Sequence, residues 1–164
     1  MRAITRLELD NLLIEAKKLP RRRTILRLHE HHEPVQRMVN AMHPGSYVTP
    51  HKHENPDKVE LFALLLGQVC IVQFNDLGEI VEVQRLSENS PTRLVEITPR
   101  TYHTVIAQEP SALLEIIEGP YDAATHKVFA SWAPREEHPR ARDYLLYLAS
   151  IVDNWKPRQN DTRS

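Results

Sequence analysis

Three histidines and one glutamate are the residues of this chain whose types and spacing point most directly to chemistry. His51 and His53 are two positions apart, so their side chains point to the same face of a β-strand. Glu60 follows a short polar loop, and His103 lies in a later segment rich in apolar residues. Imidazole and carboxylate groups bind divalent transition metals, and such a set leaves room for water or substrate. The pattern predicts a catalytic-type site for one divalent ion, namely Zn, Fe, Mn, Ni or Co.

Two glycines bracket the first part of this pattern. Five residues separate Gly45 from His51, and six separate Glu60 from Gly67. The arrangement resembles the first motif of the cupin superfamily, which is Gly, five residues, His-x-His, three or four residues, Glu, six residues and Gly. The one departure is the loop between His53 and Glu60, which has six residues here.

The segment that ends at His103 resembles the second cupin motif, Pro-x-Gly-x-x-His. Its final histidine is in place, whereas Thr98 and Arg100 replace the proline and the glycine, and Ala107 replaces the usual asparagine. The resemblance implies an all-β fold, an antiparallel cupin β-barrel of jelly-roll type, in which His103 completes the metal site.

Residues 25–135 are also similar to the WbuC-type cupin metalloproteins, small bacterial cupins that are in some cases encoded near genes for surface-polysaccharide sugar synthesis. The matching segments read QR (36–37), PGSYV (44–48), PHKH (50–53), EGPY (118–121), KVFA (127–130) and WAP (132–134). This resemblance implies a bound metal and surface polysaccharide biosynthesis. It also implies a substrate contact for His29 near the barrel mouth, and it aligns Lys127 with a Lys-x-Phe-Ala segment of the family.

Other polar side chains on or near the predicted strands are candidates for contact with a substrate. Arg37, or alternatively Gln36, would bind an anionic group, because arginine forks onto carboxylates and phosphates. Tyr47 shares a face with the paired histidines and Tyr102 neighbours His103, so either is a candidate to donate a proton or to stack on a sugar. A solvated side chain or a structural hydrogen bond is the competing interpretation for each.

Glu115 lies in the middle of a strand-like run of apolar residues. A buried carboxylate there would have a raised pKa and would suit a general base. We therefore group Glu115, Tyr102 and Lys127 as catalytic candidates. The substrate-binding candidates are Arg37, Gln36, Tyr47 and His29.

Two further clusters have simpler interpretations. The sequence His29-Glu30-His31-His32-Glu33 also contains His-x-His, but its polar surroundings favour loop side chains, with a second metal site as the alternative. Arg21-Arg22-Arg23 is interpreted as a solvated turn after a helix, with phosphate binding as the alternative.

Short strand-like segments separated by turns, with no helix between them, predict six to eight antiparallel strands. Among them, 35–42, 46–53 and 60–74 would carry the metal-binding region. Thr5 and Glu8 have the spacing of a capping box, which predicts an N-terminal helix, and residues 139–155 have helical periodicity. We expect one domain, with an N-terminal helix in 1–24, a barrel in 25–135, and a C-terminal helix with a frayed tail in 136–164.

Composition limits the function classes. The chain has 164 residues, 41% of them hydrophobic, and a formal net charge of −1, which argues against nucleic-acid and anionic-membrane partners. The single cysteine, Cys70, excludes an internal disulfide. No signal-peptide core and no segment of transmembrane length is found, so we expect a cytoplasmic protein.

The sequence therefore predicts a metal-binding cupin. The favoured function is a metal-dependent enzyme acting on a small polar or anionic, sugar or nucleotide-sugar-like substrate by isomerisation, epimerisation, elimination or oxygenation. The alternative is a non-catalytic metal- and sugar-binding module or sensor, and an acid/base residue near the open metal position would discriminate between them. The apolar faces of the two terminal helices favour a homodimer.

Overall fold

The computed structural model describes residues 1–156, so the predicted frayed tail lies almost wholly outside the described residues. The helices and strands are α1 (Arg6–Lys18), β1 (Arg23–Arg27), β2 (Val35–Met42), β3 (His51–Lys52), β4 (Glu60–Leu66), β5 (Gln68–Phe74), β6 (Ile80–Ser87), β7 (Leu94–Ile97), β8 (Tyr102–Ala107), β9 (Ser111–Glu118), β10 (Val128–Phe129) and α2 (Ala141–Asn154). The strands form two antiparallel sheets of five, ordered β1-β2-β9-β4-β7 and β10-β3-β8-β5-β6. This confirms the predicted all-β architecture with terminal helices, although the strands within 1–156 number ten. The division at 24/25 and 135/136 stays a prediction.

The N-terminal helix begins where the sequence predicts. The hydroxyl of Thr5 accepts a hydrogen bond from the backbone N–H of Glu8, whose carboxylate accepts one from the backbone N–H of Thr5. This capping box satisfies amide groups that have no partner inside the helix. Leu9 is buried in a small core with Val39 of β2 and Ala112 of β9, and this contact holds α1 on the outer face of the first sheet.

The inner face of the first sheet is set by strand register. Arg27 of β1 is opposite Met38 of β2, Met38 is opposite Glu115 of β9, and Glu115 is opposite Phe62 of β4. Residues directly opposite in a sheet point to the same face. All four line the space between the two sheets, so this row runs from the sheet edge to its interior.

Gly67 divides the long predicted strand 60–74 into β4 and β5. Its φ is +82°, and a Cβ there would lie 2.3 Å from the backbone oxygen of Pro110 and 2.5 Å from the hydroxyl oxygen of Ser111. Only glycine fits such a left-handed residue at this close approach. The chain therefore leaves the first sheet at Leu66 and enters the second at Gln68.

Two short strands of the second sheet bring the metal candidates together. The predicted strand 46–53 is regular only at β3, where His51 pairs with His103 of β8 and with Phe129 of β10. Neither β1 nor β10 was predicted. No helix within residues 1–156 is long and apolar enough to cross a lipid bilayer.

Candidate metal centre

The four predicted metal ligands converge in the interior between the sheets. One ligand atom from each of His51, His53, Glu60 and His103 lies within 4.8 Å of the others, and all four residues are buried. His51 and His103 face each other across paired strands, and Glu60 reaches the same point from β4 in the other sheet. A buried group of three imidazoles and one carboxylate suits a divalent transition metal ion.

Backbone carbonyls fix the orientation of all three imidazole rings. Each Nδ1 lies at hydrogen-bond distance from one carbonyl oxygen, and a carbonyl can only accept, so each Nδ1 carries the proton. The contacts are His51 to Thr49 at 3.0 Å, His53 to His126 at 2.6 Å, and His103 to Thr101 at 2.9 Å. The Nε2 atoms therefore present lone pairs to the centre of the cluster, which is the tautomer that metal-binding histidines use.

The charges of the cluster fit a bound cation. One oxygen of Glu60 lies 3.2 Å from Nε2 of His53 and 2.8 Å from Nε2 of His103. With the protons on Nδ1, these contacts join acceptor to acceptor, an arrangement that a positive ion between them would stabilise. Within residues 1–156, the buried Nε2 atoms of His51 and His103 have no hydrogen-bond partner.

The pKa shifts of Glu60 and His51 favour the protonation state that binds a metal ion. Burial would raise the pKa of Glu60, but the charge and hydrogen bonds of His103 and His53, when those rings are protonated, hold it well below 4.5. When the rings are neutral, a bound cation would act on the carboxylate in the same direction. Burial lowers the pKa of His51 well below 6.5, and the charge of Lys127 lowers it further. An ionised carboxylate and neutral imidazoles are the forms that bind metal ions.

A cavity of about 390 Å³ leads from the protein surface to this cluster. Its volume is in the range of sites for small molecules. The polar residues that line it include Arg27, His29, Gln36, Asn40, Glu115, Tyr121, His126 and Lys127. A small ligand would therefore meet polar and charged groups next to the metal candidates.

Glu115 is the second carboxylate of this cavity. It is buried on β9, and one of its oxygens accepts a hydrogen bond of 2.6 Å from the side-chain amide of Asn40. Burial and the nearby charge of Glu60 raise the pKa of Glu115 to about 8. At neutral pH this group holds a proton that it can exchange with a bound molecule.

Comparisons with known proteins identify the fold and the family. No curated protein matches the chain. Residues 4–86, about half of the chain, match the family described as Domain of unknown function (DUF6016). The chain belongs to the DUF6016 family.

Solved structures with similar folds were also found. An uncharacterized conserved protein with a double-stranded β-helix domain from Klebsiella pneumoniae is 15% identical, with 80% of this chain and 98% of that chain covered and a TM-score of 0.56. The capsular polysaccharide assembling protein CapF from Staphylococcus aureus is 17% identical, with coverage of 65% and 31% and a TM-score of 0.50. A cupin superfamily protein from Desulfitobacterium hafniense is 14% identical, with coverage of 58% and 76% and a TM-score of 0.47. The two facing antiparallel sheets and the likeness to the Klebsiella double-stranded β-helix domain show the predicted cupin-type fold, and that likeness concerns the fold alone.

Gln36, not Arg37, is the residue of this pair that lines the cavity. The Gln36 side-chain amide donates to backbone oxygens of the preceding loop, the shortest contact being 2.7 Å to Glu33, and its own oxygen is buried without a partner. Arg37 lies on the opposite face of β2, where its guanidinium pairs with the Glu33 carboxylate. His29 is buried at the cavity wall, with its Nδ1 2.7 Å from the backbone oxygen of Arg37.

Both tyrosine candidates lie away from the cavity, which corrects the expectation that they line it with Arg37. The Tyr47 hydroxyl donates to the backbone oxygen of Pro134 at 2.7 Å, and the ring packs in the core beneath α2. Tyr102 packs against Trp132, with ring centroids 5.7 Å apart, and the ammonium of Lys52 covers its ring. The prediction that Tyr47 shares a face with His51 and His53 assumed the alternation of a regular strand. It was wrong because residues 46–50 are not part of one.

His126 and Lys127 form the cavity wall just before β10. Burial and the charge of Lys127 lower the pKa of His126 to about 3. His126 belongs to no motif recognised in the sequence, and its backbone oxygen orients His53. Arg27 and Asn40 were also missed, Arg27 because β1 was not predicted.

The rival histidine cluster does not form a metal site in the described part of the chain. Within residues 1–156, the His51, His53, Glu60 and His103 group is the only set of three or more ligand-type side chains close enough to hold an ion. Arg21 and Arg23 line the cavity mouth, but both pair with the Glu136 carboxylate at 2.6 and 2.7 Å.

Proposed function

We propose that this protein is a metal-dependent enzyme that acts on a small, oxygen-rich substrate. The observation that carries the proposal is the presence of Glu115, a buried carboxylic acid with a raised pKa, in the same cavity as the metal cluster. A purely structural ion site needs no adjacent group that exchanges protons.

The residues of the cavity have separate roles in this proposal. His51, His53, Glu60 and His103 would hold the divalent ion, which would supply Lewis-acid chemistry at a substrate oxygen. Glu115 would transfer a proton to or from the substrate, with Asn40 fixing the carboxyl group. Such transfer favours isomerisation, epimerisation or elimination, because these reactions move a proton at substrate carbon. Lys127 would stabilise negative charge that develops on the substrate.

The proposed substrate class rests on similarity to other proteins. CapF is a capsular polysaccharide assembling protein, and the resemblance to WbuC-type cupins, which stays a prediction, points to the same process. We therefore propose a sugar or nucleotide-sugar derivative and a place in surface polysaccharide synthesis. The cavity of about 390 Å³ and its polar walls support a molecule of that size and polarity.

A non-catalytic metal- and sugar-binding module is the second candidate. The hydrogen bond between Asn40 and Glu115 favours the binding module. A carboxyl group that an amide holds at 2.6 Å can shape the cavity without transferring a proton. Turnover separates the two functions. An enzyme loses turnover in Glu115→Gln and keeps its metal, whereas a binding module shows no turnover with any substrate that binds.

Metal analysis is the first experiment. Protein purified without added metal should contain close to one equivalent of a divalent ion, and zinc, nickel or manganese would favour Lewis-acid chemistry, whereas iron would favour oxygen chemistry. The double variant His51→Ala/His53→Ala should lose the ion. The matched control, His31→Ala/His32→Ala, removes two histidines from the rival cluster and should keep it. One equivalent retained in the first variant would contradict the proposed site.

We also propose a homodimer in the cytoplasm. Leu146 and Tyr147 on α2 are 60% and 57% exposed, and a second copy of the chain would cover them. The lone cysteine, buried and unpaired, supports a reducing compartment. Sedimentation that finds a monomer at every concentration would refute the dimer, and cell fractionation tests the location.

A further inference from the structure

We infer that the natural ligand of the cavity carries two anionic groups, one seated at Lys127 beside the metal cluster and the other at Arg27 on the rim. This inference deepens the proposed function and rests on its choice of cavity.

Among the described residues Lys127 has no ion pair, and it lines the cavity that contains the metal candidates. It lines the cavity together with His51 and Glu115, and it immediately precedes β10, which pairs with the strand of His51. None of the hydrogen bonds or ion pairs found within residues 1–156 involves Lys127. A partly buried cation in this position is stabilised by an anion that binds beside it.

Arg27 marks the outer end of the same cavity. Arg27, Met38 and Glu115 are opposite one another in three neighbouring strands, so the backbones of Arg27 and Glu115 are about 10 Å apart at about 4.8 Å per strand. Within the described part of the chain Arg27 has no ion pair, whereas Arg21 and Arg23 are both occupied by Glu136. Arg27 is thus the arginine at this mouth that is available to an incoming anion.

The charge of the cavity favours a ligand with more than one negative group. A divalent ion held by the Glu60 carboxylate would leave one positive charge, and Lys127 and Arg27 would add two. Arg21 and Arg23 share the single Glu136 carboxylate and leave one more positive charge at the mouth, so the total is four, or three if Glu115 is ionised. A dianion pairs with both Lys127 and Arg27, whereas a monoanion leaves one of them unpaired and a neutral sugar leaves both unpaired.

The size of the cavity limits the length of the ligand. Lys127 and Arg27 both line this space of about 390 Å³, so a molecule that reaches both must fit within it. A chain of about four to six carbon atoms with an anionic group at each end fits such a volume. Of the proposed sugar derivatives, this favours a short sugar-type hydroxy acid with a carboxylate or phosphate at its far end over a nucleotide sugar.

Calorimetry with matched probes tests this inference. Protein carrying its own metal is titrated at constant ionic strength with 2-hydroxyadipate and with 2-hydroxyhexanoate, in which a methyl group replaces one carboxylate. A second pair, 4-phosphoerythronate and erythronate, distinguishes a phosphate from a carboxylate as the outer group. The variants are Lys127→Met and Arg27→Gln. Their matched controls are Lys17→Met on α1 and Arg142→Gln on α2, which remove the same charges from exposed positions.

We expect at least one dianion to bind about 10-fold or more tightly than its monoanionic match, since a hydrogen bond to a charged group contributes at least about that factor. Arg27→Gln should abolish this preference and leave the monoanion within about 2-fold of wild type. Lys127→Met should weaken both members of a pair by about 10-fold. Both controls should bind like the wild type.

Three results would overturn the inference: equal affinity for both members of each pair, an Arg27→Gln variant that behaves like Arg142→Gln, or no binding of either dianion. Failure of the proposed function has a different signature. Protein that binds dianions with these preferences but holds no metal, or turns nothing over, would refute the enzyme and leave the two anion sites in place.

Discussion

Replacing Glu115 with glutamine should change how the stability of the metal-free protein depends on pH. The side chain is buried, and burial together with the charge of Glu60 raises its pKa from 4.5 to about 8. Glutamine has nearly the same shape, still accepts a hydrogen bond from Asn40, and does not titrate. The variant therefore isolates the proton on Glu115.

The sign of the effect follows from proton linkage. The pKa of Glu115 is higher in the folded protein than in the unfolded chain, so the proton on Glu115 stabilises the fold. This stabilisation is complete below about pH 4.5 and is lost as the pH rises through about 8. Between pH 5 and pH 8 the loss for wild type has an upper bound of about 3.5 kcal/mol, at about 1.4 kcal/mol per pKa unit. His51 and His126, whose pKa values are lowered, act in the opposite direction at acidic pH. They are present in both proteins, so they cancel in the difference.

Urea unfolding of the metal-free proteins at pH 5 and pH 8 measures this difference. The free energy of unfolding of wild type should fall relative to Glu115→Gln by about 2 to 3.5 kcal/mol over that interval. Glu96→Gln, which changes an exposed strand glutamate, should track the wild type at both pH values. If the stabilities of wild type and Glu115→Gln change in parallel with pH, the inference that Glu115 is buried and protonated is wrong.

Three further predictions concern the framework of the site. Gly67→Ala should lower the free energy of unfolding by about 3 kcal/mol or more in a denaturant titration, because the new methyl group would meet the backbone of Pro110 at a residue with φ of +82°; an unchanged midpoint would contradict the close approach. Tyr47→Phe should lower the free energy of unfolding by about 1 kcal/mol, because the hydrogen bond to the Pro134 carbonyl is lost, and should keep the full metal content. Loss of the metal would show that Tyr47 belongs to the metal site. Cys70 is buried, and burial raises its pKa to about 11, so iodoacetamide at pH 8 should label it only after unfolding; fast labelling of the native protein would refute its burial.

Local features of the fold could be predicted from the sequence, because their causes lie within a few residues. The capping box of Thr5 and Glu8 involves hydrogen bonds between residues three apart, and it formed as expected. The alternation of β2 separated Gln36 from Arg37 without any tertiary information. The spacing of His51 and His53 likewise depends only on the period of a strand.

Features that depend on partners far along the chain could not be predicted. The short strands β1 and β10 exist because they pair with β2 and β3, and their own five and two residues carry no strong pattern. Only the assembled sheets decide that Gln36 faces the cavity and Arg37 faces outward. Tyr47 was misplaced for the same reason, since its partner, the Pro134 carbonyl, is 87 residues away in the chain.

The metal cluster depends on both the local sequence and the tertiary structure. The sequence by itself determined which four residues carry imidazole and carboxylate groups, and their motif carried the resemblance to the cupin superfamily, which implied the barrel. The tertiary structure alone decided their orientation, because the carbonyls of Thr49, Thr101 and His126 fix the proton on each Nδ1. It also decided that Glu115 keeps a proton, since a carboxyl group titrates normally in water and has a raised pKa only where the folded chain removes that water and places Glu60 beside it.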